Sequence, residues 1–421
     1  MNKSLFLVLI TAFLDILGMS ILLPVLPDIT THFHQSESWT MWTQSVYAVG
    51  MFFSGIFIGN LSDKFGRRRM LIITTGINIL GYIATLISLS VGSTAGLIGF
   101  AIFLGARIIA GIGGAGFGVV QAYISDISSP ETKTKNMGMM GAAFGTAFLI
   151  GPAIGGIIAT GLGIPDKIAT GLGIPNYIIN ILNHGWGTTG ILYVSIMIIT
   201  INLLWIIFRL PEPKHHLTEM PNVNLKEWSM TSEIYVLLFL SLGITIGFSV
   251  IQSGSGQFYT DKFGFDANLR GYTMAIVGLV SIIFQGFLVK YVRRYLNEER
   301  MLQVGLIILS IGMILLASNE YAILVFYIII LFPLGMGSIG PSLASMLSKD
   351  AGKHAGRIMG MNTSITGIGG IIGPILTGGL YKFSITLPFW ASSGLFLILF
   401  MVSIFFIGKN HWRGSIFTNI D

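Results

Sequence analysis

The chain has 421 residues, 53% of them apolar and only 10% charged, with a formal charge of +6 and no cysteine; its mean hydropathy is +0.79. A soluble domain carries about 25% charged residues, so a water-soluble fold is excluded, and without thiols so are disulfides, Cys-ligated zinc or iron–sulfur sites and thiol nucleophiles. Strand-sized alternating segments are absent, which excludes a β-barrel and leaves an all-α membrane protein.

Apolar stretches of roughly 20 residues, each long enough to cross about 30 Å of hydrocarbon, predict twelve transmembrane helices. They cover 5–27, 43–62, 70–90, 95–123, 136–158, 188–208, 235–255, 271–290, 302–318, 322–346, 357–380 and 388–408. Apolar sequence begins just after Lys3 and has no Ala-x-Ala cleavage site, so the first run reads as a retained span rather than a removed signal peptide. A polar stretch divides the spans into six and six. The expected organisation is an N-terminal six-helix bundle over 1–208, a cytoplasmic linker over 209–234 and a C-terminal six-helix bundle over 235–421.

The first span holds Asp15 ten residues from its start, about 15 Å along a helix and half the hydrocarbon thickness. Gly18, Pro24 and Pro27 follow, and the prolines shape its outer end. Between spans two and three the chain reads GNLSDKFGRRR, Gly59–Arg69. Gly59 is expected to permit close helix approach and Gly66 to supply the turn. Asp63 can accept from the amides of a helix N-terminus or pair with a basic side chain such as Arg67.

The fourth span places Arg107 about 15–18 Å from its own start, so it reaches a depth similar to that of Asp15. An ionisable residue at membrane depth is a functional-site hypothesis by default. If the two side chains face one cavity, the guanidinium favours the charged carboxylate, and weakening that contact lets the carboxylate take a proton. A purely structural ion pair is the other reading. Gly111, Gly114 and Gly118 are expected to leave room around the arginine, and Asp126 lies at the inner rim as a gate or capping residue.

Span five carries GAAFGTAFLIGPAIGG, Gly141–Gly156, with small residues every few positions and Pro152 able to kink it. An eight-residue repeat follows: IATGLGIP stands at 158–165 and again at 168–175, and reads as a local duplication in an exterior loop. The central stretch opens with Pro211, Glu212 and Pro213, and a short surface helix is considered near Leu225–Trp228. Span eleven echoes span five through Gly367, Gly370, Gly373, Pro374, Gly378 and Gly379, the mark of two related halves. No Asp, Glu, Lys or Arg lies deep in the second half. Its candidate cavity residues are Gln252, Gln257, Gln285, Asn362, Phe248, Met274 and Tyr327.

Nineteen of the 24 Lys and Arg residues fall in the termini, the central stretch and the 2–3, 4–5, 8–9 and 10–11 loops; four fall on the other side, and Arg107 is the remaining one. That asymmetry puts both termini in the cytoplasm and accounts for the net charge without nucleic-acid binding. There is no GxxxxGK[ST] loop and no metal-ligand spacing of histidines, so neither an ATPase motor, an enzyme nor a cofactor is expected.

These motifs resemble the major facilitator superfamily, in particular its twelve-span drug:H⁺ antiporters of the tetracycline-efflux type. Asp15 to Pro27, DILGMSILLPVLP, looks like their first-span signature; Gly59–Arg69 resembles the superfamily's cytoplasmic loop motif; Arg107 with Gly111 resembles the fourth-span coupling motif; Gly151, Pro152, Gly155 and Gly156 resemble the antiporter-type fifth-span motif. The resemblance implies two pseudo-symmetric six-helix bundles in the inner membrane that exchange protons for a small, often amphipathic molecule by alternating access. It carries over Asp15 and Arg107 as coupling residues, and Asp63 with Arg67 as inner gate and lock. The proton is then the coupling ion, and the partners are the substrate and the lipid bilayer, with a monomer sufficient for function. Two departures stand out. Tetracycline exporters have a further cavity-facing acidic residue in the second half, with no clear counterpart here, which argues against tetracycline–metal chelates as substrate. The second copy of the loop motif reads FLVKYVRR after Gly286, without the aspartate. The alternatives to export are a proton-coupled importer or facilitator in the same fold and a non-transporting receptor or scaffold.

Overall fold

The computed structural model describes residues 3–92, 96–161, 183–213, 231–351 and 355–406. Among them there is no strand. Eleven helices are long and apolar enough to cross a membrane, and a twelfth passes as a bent pair. In hydrocarbon no water is present to satisfy backbone N–H and C=O groups, so each segment must satisfy its own.

In chain order the helices are α1 (Lys3–His32), α2 (Ser38–Phe65), α3 (Arg67–Gly92), α4 (Gly96–Asp126), α5 (Pro130–Thr160), α6 (Gly187–Arg209), α7 (Ser232–Phe263), α8 (Ala267–Val292), α9 (Glu298–Ser318), α10 (Ala322–Lys349), α11 (Ala355–Tyr381) and α12 (Leu387–Phe406). The twelve predicted apolar runs fall on these helices. The two arms of α2, Ser38–Gly55 and Phe57–Phe65, meet at 41°.

The helix ends follow local chemistry. Ser129 opens α5 with a capping box, exchanging bonds with Thr132. Asn297 Oδ1 accepts from the Arg300 amide at 2.9 Å and starts α9 four residues before the apolar run. Several helices are irregular inside: α4 is interrupted at Ala115 and α10 at residues 329–330. α1 passes through a tight 3₁₀ turn at Leu23–Val25, where Pro24 has no N–H to give to an α-helical ladder. Five-residue π-helical turns interrupt α7 at Val250–Gly254 and α8 at Phe284–Leu288.

The chain forms two compact units. The first comprises Met1–Lys214 and Ser253–Leu279, the second His215–Gln252 and Val280–Asp421. Within the first, α1 is the central post. Its early residues Val8 and Ala12 pack with Tyr123, Ile124 and Ile206. Its later residues Ile21, Val25 and Ile29 pack with Phe103, Ile191 and Ile199. Asp15 sits on α1 between these two apolar clusters.

Within the second unit, Ser310 of α9 and Ser393 of α12 share a 2.8 Å hydrogen bond, and Ser392 donates to the Gly247 carbonyl of α7 at 2.8 Å. A Cβ on Gly373 of α11 would lie 2.2 Å from Ser249 Oγ of α7; a Cβ on Gly151 of α5 would lie 1.9 Å from Ser20 Oγ of α1. The same Gly-Pro pair therefore meets a serine in each unit, so the echo read in spans five and eleven is an echo of packing as well as of letters. The second IATGLGIP copy and most of the first, with the Leu225–Trp228 segment, lie outside the described residues.

Candidate functional site

α1, α2, α3 and α4 each contribute to a polar layer at the level of Asp15. Asn78 of α3 hydrogen-bonds the Asp15 carboxyl group. The carboxyl's Oδ1 is buried and has no hydrogen-bond partner. Arg107 is 5% exposed, and its guanidinium turns to α2. Its Nε points to the Thr43 carbonyl at 3.5 Å and its Nη2 to Gln44 Oε1 at 3.5 Å, both at the long limit of a hydrogen bond. The Tyr47 ring lies 4.7 Å from the guanidinium carbon. A desolvated cation–π contact contributes about 2 kcal/mol, so Tyr47 is the main restraint on the arginine.

Tyr47 lies in electrostatic range of both Arg107 and Asp15, as does Tyr82 of α3. Their hydroxyls are anchored on α1: Tyr47 donates to Met19 Sδ at 3.3 Å and Tyr82 to the Gly18 carbonyl at 3.1 Å. The structure thus gathers the two predicted charges into one cluster without joining them as an ion pair. The glycines after Arg107 were expected to make room for the guanidinium; instead they admit its partner. A Cβ on Gly111 would lie 2.1 Å from the Tyr47 carbonyl oxygen and one on Gly114 2.2 Å from the Tyr47 hydroxyl, whereas Gly118 faces open space.

The second group sits at the α2–α3 turn, where Gly66 has a φ of 97° that a side chain would strain. Arg67 is 8% exposed and bridges Asp63 at 2.6 Å and Asp126 at 2.8 Å, with Ser62 Oγ at 2.5 Å. One guanidinium therefore ties α2, α3 and α4 together. Asp63 pairs with this arginine rather than with the helix amides. Those amides are taken by Glu212, whose carboxylate accepts from the Arg67 amide at 2.5 Å and the Arg68 amide at 3.1 Å. Arg68 donates to the Ile206 and Ile207 carbonyls at the end of α6, and Tyr123 donates to the Pro211 carbonyl at 2.6 Å. Gly59 makes no close helix contact, since its Cβ position faces open space.

The fifth-helix motif lies against two neighbours. Gly151 and Gly155 face α1, with Cβ positions 1.9 Å from Ser20 Oγ and 2.1 Å from the Ile21 carbonyl oxygen. Gly156 faces the Ala267 carbonyl at 2.8 Å, and the Pro152 carbonyl stands 2.4 Å from a Cβ on Gly271 of α8.

The seven cavity candidates do not form one cluster. Gln257 and Met274 belong to the first unit and the other five to the second. Gln257 is buried and engaged with Thr40 and Asp261 at 2.9 and 2.8 Å. Gln252 and Gln285 are exposed on the π-helical turns of α7 and α8. Phe248, Met274 and Asn362 are half-buried, with Asn362 Oδ1 lacking a partner, and Tyr327 is exposed. Among the described residues no group of three or more His, Asp or Glu could hold a metal ion.

Sequence reasoning missed Tyr47 and Glu212; Asn78 reads in sequence only as an uncharged polar group at membrane depth, not as a neighbour of Asp15. Thr43, Gln44 and Tyr47 share a face of α2 at i, i+1 and i+4, a pattern that signals a polar stripe on an apolar helix. Glu212 was hidden because a Pro-Glu-Pro run reads first as a linker.

Three comparisons bear on identity. The chain is 27% identical to "Tetracycline resistance protein, class E" of Escherichia coli, over 96% of each protein. It is 26% identical to "Multidrug resistance protein 2" of Bacillus subtilis (strain 168), over 92% of this chain and 91% of that one. Its fold superposes on the crystal structure of a D-xylose-proton symporter with a TM-score of 0.75 and 14% identity, covering 96% of this chain and 97% of that one. The profile of the Major Facilitator Superfamily matches residues 8–374. With the all-helical fold and the membrane-length helices, that match establishes the chain as a member of the Major Facilitator Superfamily, a multi-pass membrane transporter of small molecules.

Proposed function

We propose that this transporter is a proton-coupled antiporter that exports a small, amphipathic organic molecule by alternating access of its two halves. The observation that carries the reading is the Asp15 carboxyl group: its Oδ1 is buried without a partner, while the Arg107 guanidinium rests over the Tyr47 ring. A carboxyl in that setting is arranged to hold a proton. Arg107 shares Tyr47 and Tyr82 as neighbours with Asp15, and its two long hydrogen bonds leave it free to replace the proton when α2 or α4 shifts. Proton binding and arginine approach are then mutually exclusive at one group, which couples the protonation of Asp15 to the position of α2 and α4. Export is supported by the names of the two resistance proteins and by the fifth-helix motif. The proposed site comprises Asp15, Arg107, Tyr47 and Asn78, with Asp63, Arg67 and Asp126 as the cytoplasmic gate. The two sequence halves are its moving bodies, the inner membrane its location and the cytoplasm the side of both termini.

The test is uptake into inverted membrane vesicles with ethidium and a quinolone as probes. An imposed inside-acid gradient should drive accumulation, and Asp15→Asn should bring it to the level of empty vesicles. Accumulation in the variant equal to the parent protein would overturn the coupling role. Accumulation driven only by the reverse gradient would replace export with import.

A further inference from the structure

The first unit carries a groove that neither the proposed proton site nor the Arg67 cluster uses. α2 lies directly on α4 where a Cβ on Gly50 would stand 2.4 Å from the Ile108 carbonyl oxygen. Toward the α2–α3 turn, α2 then bends by 41° between Gly55 and Phe57. A groove of about 470 Å³ runs along this stretch between α2, α3 and α4. Phe53, Phe57 and Leu61 of α2, Ile73 and Ile77 of α3 and Ile108 of α4 line it. Phe53, Phe57 and Ile73 are each at least 50% exposed, so the groove opens outward. Ser54 is the one polar side chain in its lining, and its hydroxyl is taken by the Gly50 carbonyl at 2.6 Å.

Gly50 and Leu61 bound the groove on α2 and lie about 16 Å apart along a helix, against about 30 Å for a full hydrocarbon core. The groove is therefore one leaflet deep. Its lining stripes continue by one helical turn into basic side chains: Leu61 leads to Lys64 on α2, and Ile77 and Ile73 lead back to Arg69 on α3. The other charges of this turn are engaged. Arg67 holds Asp63 and Asp126, Glu212 accepts from the first amides of α3, and Arg68 donates to carbonyls at the end of α6. Lys64 and Arg69 are exposed, and among the described residues neither has an ion pair or a hydrogen bond. An apolar slot one leaflet deep that ends in two unpaired cations complements an amphiphile of the same length and opposite charge.

We propose that this groove binds one anionic phospholipid of the leaflet bordering the α2–α3 turn, with an acyl chain between α2, α3 and α4 and the phosphate at Lys64 and Arg69. Two observations favour a lipid over a second copy of the chain. Helix association in a bilayer runs through small residues, whereas these walls are Phe, Leu and Ile. A helix of a second copy crosses the whole core, whereas the groove matches only half of it. A flexible acyl chain follows such walls, and the negative headgroup gains from each basic side chain near the surface. The inference needs only that the helices cross a bilayer; it is independent of proton coupling and of the cargo.

The test places the full-length protein in phosphatidylcholine nanodiscs doped with a phosphatidylglycerol probe that carries a diazirine midway along one chain, or with the phosphatidylcholine version of the same probe. After irradiation, peptide mass spectrometry counts lipid adducts on residues 49–61 and 70–77. The glycerol probe should exceed the choline probe severalfold there. Lys64→Gln with Arg69→Gln should lower the glycerol adducts about fivefold for each lost charge. Lys290→Gln with Arg294→Gln removes equal charge from exposed positions at the end of α8 and should leave the count unchanged. Ser54→Trp fills the slot and should lower adducts from both probes. If Ser54→Trp does not fold, the Lys64 and Arg69 variant carries the test, because both side chains are exposed. Equal adducts from the two probes would overturn the site, and so would an unchanged count in the folded Lys64 and Arg69 variant. Two copies held in one nanodisc with no adduct on these residues would give the groove to a second copy instead.

Discussion

A single carboxyl group sets the chemistry at the residue scale. Asp15 has Asn78 on one side and no cation in contact, and Arg107 rests against Tyr47. Tyr47 therefore decides whether the guanidinium stays off the carboxyl. Tyr47→Phe keeps the ring and should retain most transport; Tyr47→Ala removes a contact of about 1–2 kcal/mol and should slow gradient-driven ethidium uptake about fivefold or more. Equal rates in the two variants would show that the ring does not restrain the arginine. The depth of both charges was legible because each lies near the middle of an apolar run. Their relative orientation was not, because a helix position fixes depth but leaves the choice of neighbour to packing, and here α2 supplies a better partner than α1.

Glycines divide by what they touch at the scale of the element. Gly111 and Gly155 lie where a Cβ would meet backbone oxygen at 2.1 Å, and backbone cannot move aside. Gly111→Ala and Gly155→Ala should each destabilise by about 1–3 kcal/mol or more, read as a lower melting temperature in detergent. Gly59→Ala enters open space in a helix and should be neutral or stabilising by up to about 1 kcal/mol. If Gly59→Ala destabilised as much as Gly155→Ala, the assignment of close contacts would be wrong. At the α2–α3 turn, Glu212 does the work of an N-terminal cap from the linker, so Glu212→Ala should cost about 0.5–2 kcal/mol in thermal unfolding. Spacing and small residues made the helices and the Gly-Pro echo readable in advance. The linker's contribution was not, since it depends on where α6 ends in space relative to the start of α3.

At the scale of the whole molecule, the apolar runs, their number and the family were readable from hydropathy, motif order and spacing, because the bilayer imposes one solution on every span. The Asp28–Arg270 bond was not. Those residues stand 242 positions apart, and a basic residue just outside a predicted span looks like any loop cation until the fold brings a carboxylate to it. The proposed proton site, Asp15 with Arg107, is the central claim, and proton release on binding tests it most directly. Purified protein in weakly buffered detergent, titrated with ethidium, should release about one proton per bound molecule, and Asp15→Asn should bind without release. Equal proton release from the parent protein and from Asp15→Asn would contradict the account.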